Sequence, residues 1–302
     1  MPTSGPVDGF RLDYQRRGSP GDPPVLLLHG WPGDRTDVGA VAERLAGSCD
    51  VVVPDMRGFG RSDKHRRDPV EHYGAAGQAR SAAGLIDELG LTDVVVAGYD
   101  VGSRVGQQLA RDRPDLLRAL VITPPAPGVG RRVLSEDPIR EFWYQSFHQL
   151  DLAEELIDGR PDAVRTYLRH IWSHWSGPDF VLDDERLDHL TARYGVPGAF
   201  VASIGWYRAG SGTVARALSE TVPDPADRIA VPTTFLWPEH DPLFPLAWAD
   251  RVGEFIAEPT VIPVPRAGHF VPVEAPDVVA EAVTAALAPA EAGTRSGVVG
   301  PG

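Results

Sequence analysis

The chain has 302 residues, of which 42% are hydrophobic, and it carries a net charge of −13. This composition predicts a globular protein with a large core, built as one domain with an insertion or as two domains. The acidic balance argues against a nucleic acid or an anionic membrane as partner, because both attract basic patches. Cys49 is the sole cysteine, which excludes an intramolecular disulfide, and no apolar run follows Met1. We therefore expect a cytoplasmic protein without a membrane span.

The first half of the chain alternates short apolar runs with helical patterns. An alternating segment at 10–15 predicts a half-exposed strand, and four apolar runs predict buried strands at 25–28, 51–53, 94–97 and 120–122. Helical spacing lies between these runs, at about 36–46, 75–89 and 101–111. Continuous apolar strands that alternate with helices are typical of a parallel sheet covered on both faces. Reactive groups are then expected at the carboxyl ends of the strands.

The pattern changes after residue 128. From 129 to 222 the strand pattern stops, and helical segments rich in aromatic residues take its place. Strand character returns at 231–237 and 260–264 and is followed by a helical pattern at 277–287. We therefore predict an α/β core made of residues 1–128 and 223–288, interrupted by a helical cap domain at 129–222. The small and polar residues at 289–302 predict a disordered tail.

One turn in the first half carries a chemical signal. The apolar run at 94–97 ends in Gly98-Tyr99-Asp100-Val101-Gly102. Its spacing is that of the Gly-x-Ser-x-Gly turn, which presents a nucleophile between a strand and a helix. An aspartate in the place of the serine is ionised at neutral pH and needs no base before it attacks. It suits displacement of an oxygen or a halide from an sp3 carbon, because attack on a carbonyl would give an anhydride. The alternative is that the aspartate only caps the following helix.

Two further candidates follow the last two predicted strands. Asp241 comes just after the run at 231–237, and His269 comes just after the run at 260–264. Nucleophile, acid and histidine then follow one another along the chain as they do in an α/β-hydrolase triad. A neutral imidazole can take a proton from water, and a buried carboxylate fixes its tautomer and stabilises the imidazolium. Glu239 and His240 compete for the role of the acid, which we assign to Asp241.

These features resemble the α/β-hydrolase superfamily and, within it, the bacterial epoxide hydrolases. The similarity extends from about residue 10 to residue 288. The sequence His-Gly-Trp-Pro at 29–32 resembles the family's oxyanion loop, with a proline expected to be cis. The stretch at 55–62 resembles its Asp-x-Arg-Gly-x-Gly-x-Ser turn, and 98–102 resembles its nucleophile turn. The resemblance implies a mostly parallel sheet of eight strands, flanked by helices and carrying an inserted helical cap.

The most specific similarity lies in the predicted cap. The segments at 142–150 and 206–209 resemble the two cap segments that supply paired tyrosines in bacterial epoxide hydrolases. The resemblance implies that Tyr144 is the first of these tyrosines and Tyr207 the second. An epoxide that opens under attack develops alkoxide charge, and a phenol can hydrogen-bond that oxygen and then protonate it.

The remaining site residues are also implied by the resemblance. Backbone N–H groups of Trp31 and Val101 would form an oxyanion hole. The side chains placed in the substrate pocket are His29, Trp143 and Phe270.

The implied reaction has two steps and needs no metal or cofactor. Asp100 attacks a ring carbon of an epoxide and forms a hydroxyalkyl ester. His269, supported by Asp241, then activates water to hydrolyse the ester, and a vicinal diol leaves. The expected partners are a small-molecule epoxide and water, and a homodimer is compatible with the sequence.

Three alternatives share some of these features. Haloalkane dehalogenases typically hold the halide with an asparagine in the oxyanion loop or a tryptophan directly after the nucleophile, where this chain has Trp31 and Val101. Fluoroacetate dehalogenases place arginines one and four residues after the aspartate. Arg104 fits the second position, as a carboxylate ligand or as one half of a salt bridge, while Val101 occupies the first. A non-catalytic ligand-binding relative is disfavoured by the complete set Asp100, Asp241, His269, Tyr144 and Tyr207.

Overall fold

One sheet of seven strands forms the centre of the structure, a computed structural model that describes residues 2–288. The strands are β1 Tyr14–Arg17, β2 Pro24–Leu28, β3 Asp50–Pro54, β4 Val94–Gly98, β5 Leu117–Ile122, β6 Thr233–Pro238 and β7 Thr260–Val264. Their spatial order is β1-β3-β2-β4-β5-β6-β7, and only the pair β1–β3 is antiparallel in this sheet of the described residues. The predicted tail at 289–302 lies outside the described residues.

The expectation of eight strands is wrong for residues 2–288. The segment before β1 folds back on itself, since Asp8 and Gly9 have φ values of 53° and 82°, in the left-handed region that a tight turn uses. Across this turn the N–H of Ser4 donates to the carbonyl of Leu12 over 2.8 Å. These backbone groups are therefore paired within the segment. The predicted strand at 10–15 begins later, at Tyr14, and is only four residues long.

Helices follow the strands in the first half of the core, as the sequence predicts. The segment expected to be helical at 36–46 divides into a 3-10 turn and an α-helix. The helices are α1 Gly39–Leu45, α2 Pro69–His72, α3 Ala75–Glu88 and α4 Val101–Asp112, with 3-10 turns at Arg35–Val38 and Pro114–Leu116.

An insertion of helices separates β5 from β6, which are parallel neighbours in the sheet. It consists of a 3-10 turn at Gly130–Leu134 and the helices α5 Glu136–Glu141, α6 Trp143–Phe147, α7 Asp151–Ile157, α8 Pro161–Trp175, α9 Asp184–Tyr194, α10 Ala199–Arg208 and α11 Thr213–Ser219. The core then resumes with 3-10 turns at Pro225–Asp227 and Leu246–Glu254 and with α12 Val271–Glu274 and α13 Pro276–Leu287. Across residues 2–288, no helix combines the length and apolar character that a membrane span requires.

The two faces of the sheet are both buried, which explains why its strands are continuous apolar runs. In β2, Leu26 and Leu28 belong to a large cluster that continues through α3 and α4 into the inserted helices. Val25 and Leu27 point to the opposite face, where α1 and α13 cover them. The alternation follows from the two-residue period of a strand. The carboxyl ends of the strands are therefore left as the edge at which polar groups collect.

We predict that Gly102→Ala destabilises the protein by about 1–3 kcal/mol, the usual cost of overpacking. A Cβ atom at Gly102 would overlap the carbonyl oxygen of Leu28 and lie 2.6 Å from that of His29, and both atoms belong to rigid backbone. Gly106→Ala, one turn later in α4, is the matched control, because its Cβ would meet no atom closer than 3.5 Å. Urea unfolding of the two variants measures the difference. Equal stability of both would contradict the close approach of α4 to the end of β2.

Candidate active site

The turn after β4 presents Asp100 in a conformation that few residues adopt. Its φ and ψ angles are 49° and −115°, whereas non-glycine residues rarely have positive φ, and such strain costs about 1–3 kcal/mol. Asp100 is the residue before α4, yet its side chain accepts no hydrogen bond from the helix backbone. Its Oδ1 instead accepts from the backbone N–H of Trp31 over 2.8 Å. The structure therefore does not support the helix-cap alternative.

The loop after β2 meets this turn because β2 and β4 are parallel neighbours, with Leu28 beside Gly98. The loop contains Trp31, and the Trp31–Pro32 peptide bond is cis, as expected. Val101, the second residue expected in the oxyanion hole, is the first residue of α4. The N–H groups in the first turn of a helix have no acceptor within that helix.

Asp241 and His269, the candidate acid and histidine, follow β6 and β7, toward the opposite edge of the sheet from β1. Asp241 follows β6, and its Oδ2 lies 2.9 Å from Nδ1 of His269, which follows β7. The second oxygen of Asp241 accepts from the N–H of Leu243 over 2.8 Å. Nε2 of His269 lies 3.4 Å from Oδ2 of Asp100 and has no hydrogen-bond partner in the described structure. The competing residues of the same loop, Glu239 and His240, are exposed.

His269 lies between two carboxylates, and its protonation follows from them. Burial by itself would lower the pKa of the imidazole. The charge and hydrogen bond of Asp241, together with the nearby carboxylate of Asp100, outweigh burial and raise the pKa to about 10. Since the folded pKa lies above the unfolded value of about 6.5, this arrangement stabilises the fold fully below that pH, and the contribution is lost as the pH rises through about 10. The resting site therefore holds an imidazolium at neutral pH.

The two predicted tyrosines belong to two of the inserted helices, and their side chains lie together. Tyr144 in α6 and Tyr207 in α10 are 2% and 3% exposed, and their rings meet edge to face with centroids 5.5 Å apart. Burial, and then the charges of neighbours that include Asp100, raise both pKa values well above that of an ordinary phenol. Both hydroxyls therefore keep their protons at neutral pH and are able to donate them.

Trp31 connects the tyrosines to Asp100. Its backbone N–H binds the carboxylate, while its indole ring is parallel to the ring of Tyr144 at 5.6 Å and perpendicular to that of Tyr207 at 5.5 Å. The indole Nε1 also donates to the hydroxyl of Ser203 in α10 over 3.3 Å. One residue thus contacts the nucleophile and both potential proton donors.

The three residues expected in the substrate pocket have different surroundings. Both ring nitrogens of His29 bond to backbone groups, Nδ1 to the carbonyl of Gly30 and Nε2 to the N–H of Met56. His29 therefore joins two loops and leaves no ring nitrogen for a substrate. Trp143 is 40% exposed, and its ring packs against other residues of the inserted helices, Phe147, Tyr167 and His170. Phe270 is buried, and its ring meets the edge of His269.

Two supports of the histidine loop were not predicted from the sequence. The N–H of His269 donates to the carbonyl of Trp175, at the end of α8, over 2.7 Å. The carboxylate of Glu274 accepts from three backbone N–H groups, those of Gly177, Gly268 and Phe270. Both contacts tie the loop to the inserted helices. Any residue at position 175 would offer the same backbone carbonyl, so the sequence carries no signal for the first contact. The second contact comes from an acidic residue without a distinctive spacing.

A buried carboxylate connects the nucleophile turn to α9. Oδ2 of Asp37 accepts from the hydroxyl of Tyr99 over 2.6 Å, and Oδ1 lies 2.7 Å from the guanidinium of Arg186. Burial raises the pKa of Asp37 to about 6, although the arginine charge opposes this. Tyr99 directly precedes Asp100, so this pair fixes the turn against the inserted helices.

Arg104 lies at the base of the insertion. Burial lowers the pKa of its guanidinium to about 10, and Nη2 donates to the carbonyl of Ala126 over 3.1 Å. Nη1 lies 3.9 Å from Glu220, which also accepts from the N–H of Gly128. Ala126 and Gly128 precede the inserted helices and Glu220 follows them. Arg104 therefore joins the two chain segments that connect the core to the insertion. Its guanidinium is engaged in contacts within the fold.

Comparisons with known proteins agree with the fold. The model of the family described as alpha/beta hydrolase fold matches residues 23–276. The chain belongs to the α/β-hydrolase family. It is 27% identical over 295 residues to the soluble epoxide hydrolase of Corynebacterium sp. (strain C12), which covers 94% of this chain and 96% of that protein. It is 30% identical over 196 residues to a fluoroacetate dehalogenase of Burkholderia sp, with 64% of each chain covered. The solved structure of the epoxide hydrolase CorEH without ligand has a TM-score of 0.77 and 26% identity, and covers 92% of this chain and 95% of its own.

We predict that Asp100→Asn lowers the pKa of His269, because one of the two carboxylates that raise it becomes neutral. Nitrogen NMR of histidine-labelled protein between pH 5 and 11 reports this pKa directly, and wild type is expected to titrate near 10. Asp115→Asn, which removes an exposed carboxylate paired with Arg113, is the control and should leave the titration unchanged. An unchanged pKa in Asp100→Asn would mean that the two side chains are not electrostatically coupled.

Proposed function

We propose that this α/β-hydrolase is an epoxide hydrolase that forms a vicinal diol through an ester on Asp100. The observation that carries the proposal is the convergence of three groups at one point. The carboxylate of Asp100 lies beside His269, and Trp31 joins that carboxylate to the buried pair Tyr144 and Tyr207. A nucleophile with proton donors for a leaving oxygen suits the opening of a strained ring. The similarity to proteins named epoxide hydrolases supports the same reaction.

In the first step, an oxygen of Asp100 attacks one ring carbon, and the bond from that carbon to the ring oxygen breaks. The leaving oxygen develops negative charge and takes a proton from Tyr144 or Tyr207, whose high pKa values make the phenols available as donors but disfavour a lasting phenolate. The phenolate must then recover a proton. The imidazolium of His269 supplies this proton, because ester formation neutralises Asp100, one of the two carboxylates that raise the pKa of His269. His269 is then neutral.

In the second step, neutral His269 accepts a proton from water, and the water oxygen attacks the carbonyl carbon of the ester. The N–H of Trp31 stabilises the oxyanion that forms, with Val101 as the proposed second donor. The bond between the carbonyl carbon and the alkyl oxygen then breaks, and the remaining water proton passes to that oxygen. The diol leaves, the carboxylate of Asp100 is restored, and His269 is again an imidazolium. The protons released and taken up over the cycle balance.

A dehalogenase is the second candidate, since the chain is similar to a fluoroacetate dehalogenase. The contacts of Arg104 disfavour it, because its guanidinium is engaged with Ala126 and faces Glu220. Assays of the purified protein with epoxides, haloalkanes and fluoroacetate separate the candidates. Diol from epoxides alone supports the proposal, halide release supports a dehalogenase, and no turnover supports a ligand-binding relative.

The boundaries of the cap at 129–222, the cytoplasmic location and a homodimer stay predictions.

We predict that Asp100 acquires heavy oxygen during turnover. Each hydrolysis transfers the water oxygen to the carboxylate, so repeated turnover of an epoxide in heavy-oxygen water labels the peptide that contains Asp100, as mass spectrometry detects. His269→Gln should accumulate the ester, because it removes the base but leaves the nucleophile. Protein incubated without substrate is the control. An unlabelled Asp100 peptide after many turnovers would exclude the ester.

We predict that replacing both Tyr144 and Tyr207 with Phe lowers the rate of ester formation by about 10²–10⁴-fold, the usual contribution of a general acid. Each single variant should be slower than wild type and faster than the double variant, because the other phenol still donates. Single-turnover kinetics measures this step. Tyr194→Phe is the control, since its hydroxyl donates to the carbonyl of Gly33 and not toward Asp100. Normal ester formation in the double variant would remove the tyrosines from the mechanism.

A further inference from the structure

A groove on the outer surface of the inserted helices has no role in the proposed reaction. This outer groove lies between α6, α7 and α8, has a volume of about 540 Å³, and is walled by Trp143, Phe147, Leu156, Ile157 and Tyr167. Trp143 and Leu156 are 40% and 48% exposed, which is a large apolar surface for water to contact. Polar groups, Asp162, Thr166 and His170, also line it. An exposed apolar concavity of this size is typical of a binding site.

One layer of aromatic side chains separates the outer groove from the candidate active site. Tyr167 contacts Trp143 of the groove at 6.0 Å between ring centroids and also contacts Trp31 at 6.2 Å. Its hydroxyl lies 2.9 Å from Nε2 of the buried His148. The ring of His148 in turn packs against Trp31 at 4.8 Å and Tyr207 at 4.7 Å. A ligand in the groove is thus one side chain away from the residues above Asp100.

Tyr167 is held in place by one hydrogen bond between uncharged groups. Burial and the charge of Arg208 lower the pKa of His148 well below its ordinary value, so its imidazole is neutral. The bond between Tyr167 and His148 therefore lacks the additional strength of a charge-assisted hydrogen bond. Nδ1 of His148 has no partner within the described residues. The bond to Tyr167 is therefore the one side-chain hydrogen bond that this imidazole makes within the described residues.

Two other clefts of the described structure have walls unsuited to an apolar ligand. One of about 550 Å³, beside α9, is lined by charged groups that include Asp34, Asp55, Arg186 and Arg193. Another, of about 220 Å³, is lined by the basic run at 64–67 and by Arg208. An apolar substituent would have to displace water from these charges. In the outer groove it would instead cover side chains that water already hydrates poorly.

We propose that the outer groove binds the apolar substituent of the substrate, an aromatic ring or an alkyl chain on the epoxide, and that Tyr167 is the side chain that turns aside to connect the groove with Asp100. This inference rests on the proposed function and narrows the substrate to epoxides with a bulky apolar group. A small epoxide does not reach from the active site into the groove, so the rate of its hydrolysis should not depend on the groove.

The test fills the groove and compares two substrates. Ala163→Phe places a ring in the groove, because Ala163 is a partly buried residue that lines it. We expect kcat/KM for epoxydodecane to fall at least about tenfold, within the range that one misfit group costs in an apolar pocket, chiefly through KM. Hydrolysis of epoxypropane should change less than about twofold. Ala192→Phe is the matched control, since Ala192 is an exposed alanine in α9 outside the described clefts, and should leave both substrates unaffected.

A parallel loss for both epoxides, or no change for either, would overturn the inference while leaving the proposed function intact. If wild type hydrolyses neither epoxide, the proposed function fails. Fluorescence titration with N-phenylnaphthylamine then tests separately whether the groove binds an apolar ligand. Saturable binding that Ala163→Phe weakens at least about tenfold and Ala192→Phe leaves unchanged supports an apolar subsite. Absent binding, or equal binding in all three proteins, contradicts it.

Discussion

The structure depends on the hydrogen bond between the backbone N–H of Trp31 and the carboxylate of Asp100. Two parallel neighbouring strands, β2 and β4, bring these groups together, and the strained φ of 49° aims the carboxylate away from its own helix. A relaxed backbone would let the side chain cap α4 and remove it from the site. The close packing of Gly102 against the end of β2 leaves no room for such a shift. The adjacent positions of β2 and β4, the absence of a side chain at Gly102 and the strained φ of Asp100 therefore all support this one hydrogen bond.

The inserted helices contribute electrostatics as well as cover. Arg186 of α9 reaches the buried Asp37, which also accepts from Tyr99 beside the nucleophile. A buried carboxylate without the arginine would favour protonation more strongly, because burial already raises its pKa to about 6. At the opposite side, the carbonyl of Trp175 holds the N–H of His269. Both of these loops of the candidate site are thus fixed by groups of the insertion, and movement of these helices would alter the site itself.

Much of this arrangement could be predicted because its signals are local. Asp100 and His269 each directly follow an apolar run, and strand ends of a parallel sheet share one edge, so pattern and topology suffice to bring them together. His29 and Trp143 could not be placed in this way, because their surroundings depend on side-chain packing: one bonds two loops and the other faces an outer groove. The eighth strand was implied only by the family resemblance, whereas the pattern of apolar runs indicated seven strands, the number found in residues 2–288.

The proximity of Asp100 and His269 raises an apparent conflict between nucleophile and base. The carboxylates of Asp241 and Asp100 together raise the pKa of the imidazole, and an imidazolium cannot activate water. The conflict disappears if the two roles never coincide. In the proposed reaction, Asp100 needs only to attack while it is charged. Once the carboxylate has become a neutral ester, the same proximity no longer retains the proton, and Asp241 alone orients a neutral imidazole toward water. In the proposed reaction, an aspartate nucleophile thus converts its neighbour into a base by reacting, which a neutral serine in the same turn would not do.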